Sequence, residues 1–183
     1  NKGRNKVIGA VAGAAVGGAV GYSMDNQAKE VAESLNTNVN NNPNAVLDPN
    51  QDLIVSNTDN YVKIMFRDDM MFETNSANPT YSAGTKISKI TSVLQKYPNT
   101  LVQVVGHTDS RGSYEYNLNL SEKRATNVGN IINSTGVQNQ IFSRGCSFNK
   151  PVALNNSDSN MGLNRRVEVY LYPNQQSVID VCK

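Results

Sequence analysis

Residues 101–125 read LVQVVGHTDSRGSYEYNLNLSEKRA, and the change of period inside this stretch sets the fold. LVQVV at 101–105 is a short, mostly apolar run of strand length. A polar loop follows at once: Gly106, His107, Thr108, Asp109, Ser110, Arg111 and Gly112. From Ser113 the pattern turns helical, with Leu118, Ala125, Val128, Ile131 and Ile132 forming an apolar stripe over 113–134. Ser113 stands where a helix N-cap is expected, and Gly136 suits a left-handed C-terminal cap.

Working outward, YVKIMF at 61–66 alternates as a strand does. Ile87, Ile90, Val93 and Leu94 recur at helical spacing, predicting a helix over 82–97 that Pro98 stops. Residues 141–145 and VEVYL at 167–171 supply further strands. Strand, helix, strand, helix, strand, strand predicts an α/β (α+β) two-layer sandwich: a mixed β-sheet with helices on one face. On this reading the domain occupies residues 61–173 and a C-terminal tail occupies 174–183.

The flanks differ in composition. Residues 34–60, rich in Asn and Pro (NTNVNNNPN, DPNQD), read as a linker with room for a short strand. Residues 1–33 form a separate N-terminal segment. Within it Gly9, Gly13, Gly17 and Gly21 fall four apart, one glycine stripe on a helix, the logic of close helix packing in membranes. At ~1.5 Å per residue the apolar run 7–22 reaches about 24 Å, short of a hydrocarbon core of ~30 Å. Lys2, Arg4 and Lys6 precede it and could sit among lipid headgroups. A membrane-associated or self-packing segment and a small-residue helix or tether packed on protein both fit. The polar start at Asn1 suits trimming from a precursor, so a missing secretion signal does not argue for the cytoplasm.

Composition narrows the function. Seventeen Lys and Arg against fifteen Asp and Glu give a net charge of +2, with no basic run that nucleic acid would require. One histidine and two distant cysteines, Cys146 and Cys182, argue against a zinc site, and no cofactor motif is present. The cysteines suit either a disulfide in an oxidising compartment or two reduced thiols. A hydrolase fails on inventory: no paired catalytic carboxylates on a recognisable frame, no Cys–His spacing, no metal triad. His107 has no second base and reads as a hydrogen-bonding loop residue. Ser110 and Ser121 are nucleophiles in name only.

Asp109 in the loop and Arg124 in the following helix are the informative pair. A carboxylate and a guanidinium facing one pocket suit a zwitterion, the Asp meeting an ammonium and the Arg a carboxylate. The alternative is an internal salt bridge fixing loop on helix. Arg165 and Arg166 open the last strand, and alternation sends Arg166 to the opposite face for solvation or a salt bridge. Asp68 and Asp69 follow a strand and read as a turn.

At GHTDSRGSYEYNLNLSEKRATNV (106–128), with GVQNQIFSRG, KPVALNN, NRRVEV and MFRDDMMFETNSA, the chain closely resembles the OmpA C-terminal-like domains, which include peptidoglycan-associated lipoproteins and flagellar stator subunits. The resemblance covers about residues 61–172. It implies a βαβαβ-type, non-enzymatic domain that binds peptidoglycan through the diaminopimelate of the peptide stem. Asp109 would take the ammonium and Arg124 the carboxylate. Thr108, Asn117 and Arg165 match pocket-lining positions, and Leu118 a neighbour acting through its backbone. Asn160 and Met161 replace a usual Gly-Arg, and Cys146 a usual aromatic. The glycine stripe followed by YSMDNQAKE looks like a subgroup of envelope lipoproteins. This implies a periplasmic domain held to the outer membrane of a Gram-negative bacterium through its N-terminal segment or an upstream lipid. Homo-oligomers or envelope-complex partners are compatible with it. A bracing subunit of a secretion machine is the alternative. A flagellar stator fits less well, because the apolar run lacks a buried acidic residue.

Overall fold

The computed structural model describes residues 17–183. Its helices are α1 (Gly17–Ser34), α2 (Asp68–Met71), α3 (Tyr81–Lys89), α4 (Thr91–Lys96), α5 (Tyr114–Ser134) and α6 (Asp158–Asn164). Its strands are β1 (Leu53–Asn57), β2 (Val62–Arg67), β3 (Leu101–His107), β4 (Ile141–Gly145) and β5 (Arg166–Tyr172), in the sheet order β1-β2-β5-β3-β4. Neighbours run antiparallel except β3 and β4, which are parallel and joined by α5 as the crossover.

Strand alternation divides the sheet into two faces. Val62, Ile64, Phe66, Val102, Val104, Val167, Val169 and Leu171 meet Ala83, Ile87, Leu94, Ala125, Val128 and Ile132 of the helices in one core. The expected mixed sheet with helices on one face is what the chain forms. The other face carries Met65, Val105, Tyr170 and Tyr172, covered by loops and by the C-terminal tail. Cys146 and Cys182 are joined in a disulfide, with Cα atoms 5.1 Å apart, which ties the tail to the end of β4.

Ser113 caps α5 by accepting the Tyr116 N–H at 3.0 Å, and Gly136 takes a positive φ of 84°, as the sequence predicts. The helix expected over 82–97 is divided at Ile90. The Thr91 and Ser92 hydroxyls there donate to the Ser88 and Lys89 carbonyls at 2.6 and 3.2 Å, competing with the helical ladder.

Residues assigned above to the linker include β1, which pairs with β2 along its whole length. Met24, Ala28, Val31 and Ala32 of α1 enter the main core. Glu30 accepts from Lys96 Nζ at 2.6 Å and from the Tyr97 hydroxyl at 2.5 Å. The glycine-stripe reading at Gly9 and Gly13 lies outside the described residues. Among those described, no helix is long and apolar enough to cross a membrane.

Candidate functional site

The sheet order gathers three sequence-distant segments at one end: the ends of β2 and β3 and the start of β5. Arg67 of β2 and His107 of β3 both stand opposite Arg166 in the register. One residue beyond, the Asp68 N–H donates to the Arg165 carbonyl at 3.0 Å. Gly106 and Gly145 are neighbours in β3 and β4. A Cβ on Gly106 would lie 2.3 Å from the Ser121 carbonyl oxygen, and one on Gly145 would lie 2.4 Å from the Glu122 nitrogen. Only bare backbone lets α5 lie this close to the sheet and carry Asn117 and Arg124 over its end.

The result is an open cleft of about 450 Å³. Its lining includes Asp68, Asp69, Thr74, Asn75, Thr108, Asp109, Arg111, Asn117, Arg124 and Arg165. Five of the six site residues named from the sequence therefore come together. Leu118 does not line it. That residue is half-buried on α5, and its carbonyl accepts the Ser121 hydroxyl at 2.9 Å.

Buried Asp109 is held from two sides. Its carboxylate accepts the Arg111 N–H at 2.9 Å, Arg111 Nη2 at 3.0 Å and Arg165 Nη1 at 2.6 Å. Burial pushes its carboxyl upward, but these bonds outweigh burial and hold it below the usual range. Thr108 donates its hydroxyl to the Asp109 carbonyl at 2.9 Å. Asn117 Nδ2 donates to the Arg111 and Ser113 carbonyls at 2.7 and 3.0 Å, binding the loop to α5. Arg124 donates through Nε to the Ser76 carbonyl at 2.9 Å, lies over the Phe72 ring at 4.5 Å, and donates through Nη1 to Asp68.

One alternative is excluded and one sequence reading is corrected. Asp109 and Arg124 do not fix loop on helix by pairing with each other: Asp109 pairs with Arg111 and Arg165, and Arg124 with Asp68. Asp68, read from the sequence as a turn residue, opens the short helix α2. It is 6% exposed, and its other oxygen lies 3.9 Å from Arg165 Nε. Burial raises its carboxyl against the pull of Arg124 and Arg165. Nothing in its sequence signalled this, because its partners arrive from distant segments, Arg124 on α5 and Arg165 just before β5. Arg166 takes the opposite face and forms a salt bridge there, as expected: it is buried, donating from Nε to Glu168 at 2.9 Å and from Nη2 to the Lys150 carbonyl at 2.9 Å.

His107 also lies outside the loop's own network. It is buried on that second face, with Nε2 3.1 Å from Glu168 Oε1. Burial and then Arg166 push its imidazole down, more than Glu168 lifts it. Thr74 and Asn75 were missed although they stand in the motif quoted above. Asn75 adopts a left-handed φ of 61°, a conformation Asn tolerates better than most residues.

Residues 71–165 match the OmpA family. The probable lipoprotein YiaD of Escherichia coli (strain K12) is 34% identical over 103 residues, covering 56% of this chain and 47% of its own length. The peptidoglycan-associated lipoprotein of Buchnera aphidicola subsp. Baizongia pistaciae (strain Bp) is 34% identical over 96 residues, covering 52% of this chain and 54% of its own. This chain thus spans about half the length of these two curated relatives. Among solved structures, the cell wall anchor of the T6SS from Pseudomonas aeruginosa superposes with a TM-score of 0.60 at 28% identity. That match covers 67% of this chain and 89% of the other.

Proposed function

The chain belongs to the OmpA family, and from that premise we propose that its cleft binds the diaminopimelate of a peptidoglycan stem peptide and so holds an envelope protein to the cell wall. The observation that carries this reading is the joining of Asp109 and Arg124 in one open cleft. An ammonium would meet Asp109, kept ionised by its hydrogen bonds, and a carboxylate would meet the open part of the Arg124 fork. Thr108, Asn117 and Arg165 set the loop and the Asp109 carboxylate in place. The sole histidine is not part of the cleft: it is buried on the far face and engaged with Glu168. A single small ligand gives modest affinity, and many stems in one wall supply retention through avidity.

The names of the relatives, a lipoprotein associated with peptidoglycan and a cell wall anchor, support placing the domain in the periplasm beside the outer membrane. The likeness to the T6SS anchor favours a second reading, in which the domain is a structural subunit that braces a secretion assembly without needing the cleft.

Calorimetric titration of the full chain with a diaminopimelate-containing stem peptide tests the proposal. Wild type should saturate, and Asp109→Ala and Arg124→Ala, shown to be folded by circular dichroism, should lose at least about tenfold in affinity. A folded wild type that does not bind would refute wall anchoring and leave the bracing role.

A further inference from the structure

We propose that Asp68 is a resident counter-ion of this cleft, and that a ligand carboxylate, obliged to share Arg124 with it, drives a proton onto Asp68. The inference rests on the wall-binding reading and concerns how that site discriminates and responds to pH.

Of the five guanidinium N–H groups of Arg124, Nε is taken by the Ser76 carbonyl and one on Nη1 by Asp68 Oδ1. With the Phe72 ring against its face, the fork is fixed in orientation, and its remaining donors are what a ligand carboxylate can use. Any carboxylate docked there stands beside the Asp68 carboxylate, on the same cation. Asp68 is buried, so water cannot spread the added charge. Two carboxylates brought to one site cannot both stay fully ionised, and a proton between them relieves the repulsion.

The surroundings decide which carboxylate takes it. Facing Asp68 are Arg124 from α5, Arg165 at the start of β5, Asp69 from its own turn and Asp109 from the loop after β3. Arg165 already gives its short bond to Asp109, at 2.6 Å, and stands 3.9 Å from Asp68 Oδ2. That oxygen is therefore the least engaged of the four carboxylate oxygens of Asp68 and Asp109, and it is where the proton goes. The proton comes from solvent on binding and returns to it on release. Burial has already raised the Asp68 carboxyl, so the ligand has less far to push it. The sign follows: binding raises the Asp68 pKa further, so affinity climbs as pH falls toward the bound-state value and levels off below the free-state one.

The test is calorimetric titration of the full chain with the same stem peptide from pH 5.5 to 7.5, in pairs of buffers differing in ionisation enthalpy. Wild type should take up a fraction of a proton per peptide, and its affinity should rise severalfold toward pH 5.5, by no more than about tenfold per pH unit. Asp68→Asn, which keeps the shape and removes the charge, should bind with no proton uptake, and roughly tenfold tighter at pH 7.5. The buffer comparison on wild type stands by itself if that variant does not fold. Binding by wild type without proton uptake would overturn the inference and leave the wall-binding reading intact. So would uptake that persists in Asp68→Asn, which would assign the proton to another group such as His107. No binding by folded wild type at any pH would overturn both.

Discussion

Opening the Cys146–Cys182 bond is the perturbation whose size the structure sets most directly. The two residues are 36 apart in sequence, and the bond fastens the C-terminal tail across the face opposite the helices. In the chain-entropy description, closing a loop of that length removes about 13 cal/mol/K from the unfolded ensemble, or about 4 kcal/mol at 25 °C. For a chain of this size that corresponds to roughly 8–16 °C in Tm. Reduction leaves both sulfur atoms in place and creates no cavity, so it isolates this effect better than substitution does. Guanidinium unfolding of the oxidised chain and of the chain held in dithiothreitol, with free thiols counted in each sample, gives the measurement. The reduced midpoint should drop by the equivalent of about 4 kcal/mol. A drop below about 1 kcal/mol with no free thiols in the oxidised sample would refute the reasoning, because the unfolded chain would then gain little freedom.

Other outcomes follow from particular contacts. Gly106→Ala places a methyl 2.3 Å from the Ser121 carbonyl oxygen, backbone against backbone; a loss of about 3 kcal/mol or more in urea unfolding is expected, and an unchanged midpoint would contradict the close approach of α5. Glu168 is pushed up by burial but held well below the usual range by Arg166 and His107. Its stabilising contribution is therefore present above the unfolded-state Glu range and lost as pH falls through its folded value. Lowered His107 works in the same direction, its contribution fading as pH drops below about 6.5, while raised Asp68 works against them. The urea midpoint should fall from about pH 6.5 downward, and Glu168→Gln should cost about 3–5 kcal/mol at pH 7 and flatten the acid limb. Tyr97, hydrogen-bonded to Glu30, is pushed up to about 12; Glu30→Gln should bring its ultraviolet titration back toward about 10.

The elements legible in the sequence are those whose signals are local. The stripe from Leu118 to Ile132, the Ser113 cap and Gly136 all act within a few residues, and α5 forms where they place it. The strand at 101–105 was legible for the same reason, although β3 runs on through Gly106 and His107, which read as loop. β1 was harder to read, because it lies among Asn and Pro and gains its identity from pairing with β2. Asp68 and Glu168 were not legible at all. Asp68 stands at the end of β2 and is buried among cations brought by α5 and by the start of β5, Arg124 and Arg165. Glu168 shares β5 with Arg166 but meets its second partner, His107, only across the β3–β5 pairing. Asp109, Arg124 and Arg165 were readable because a specific motif carried them, not because their spacing dictated a meeting.

The placement of α1 has a mechanical consequence. Asp25 accepts from Asn57 at the end of β1, and Gln27 accepts from Thr100 just before β3. Both grips lie at the end of the sheet opposite the cleft, which begins where β3 ends at His107. Tension between a tether on the N-terminal side and a ligand in the cleft would run lengthwise along β3, over about 23 Å at ~3.3 Å per residue. β3 is bonded on both flanks, to β5 and β4, and those bonds run across the strand. A pull along the strand must shear many of them together, whereas a pull across it would unzip them one at a time. An envelope tether loaded in this direction would hold its shape until the ligand itself let go.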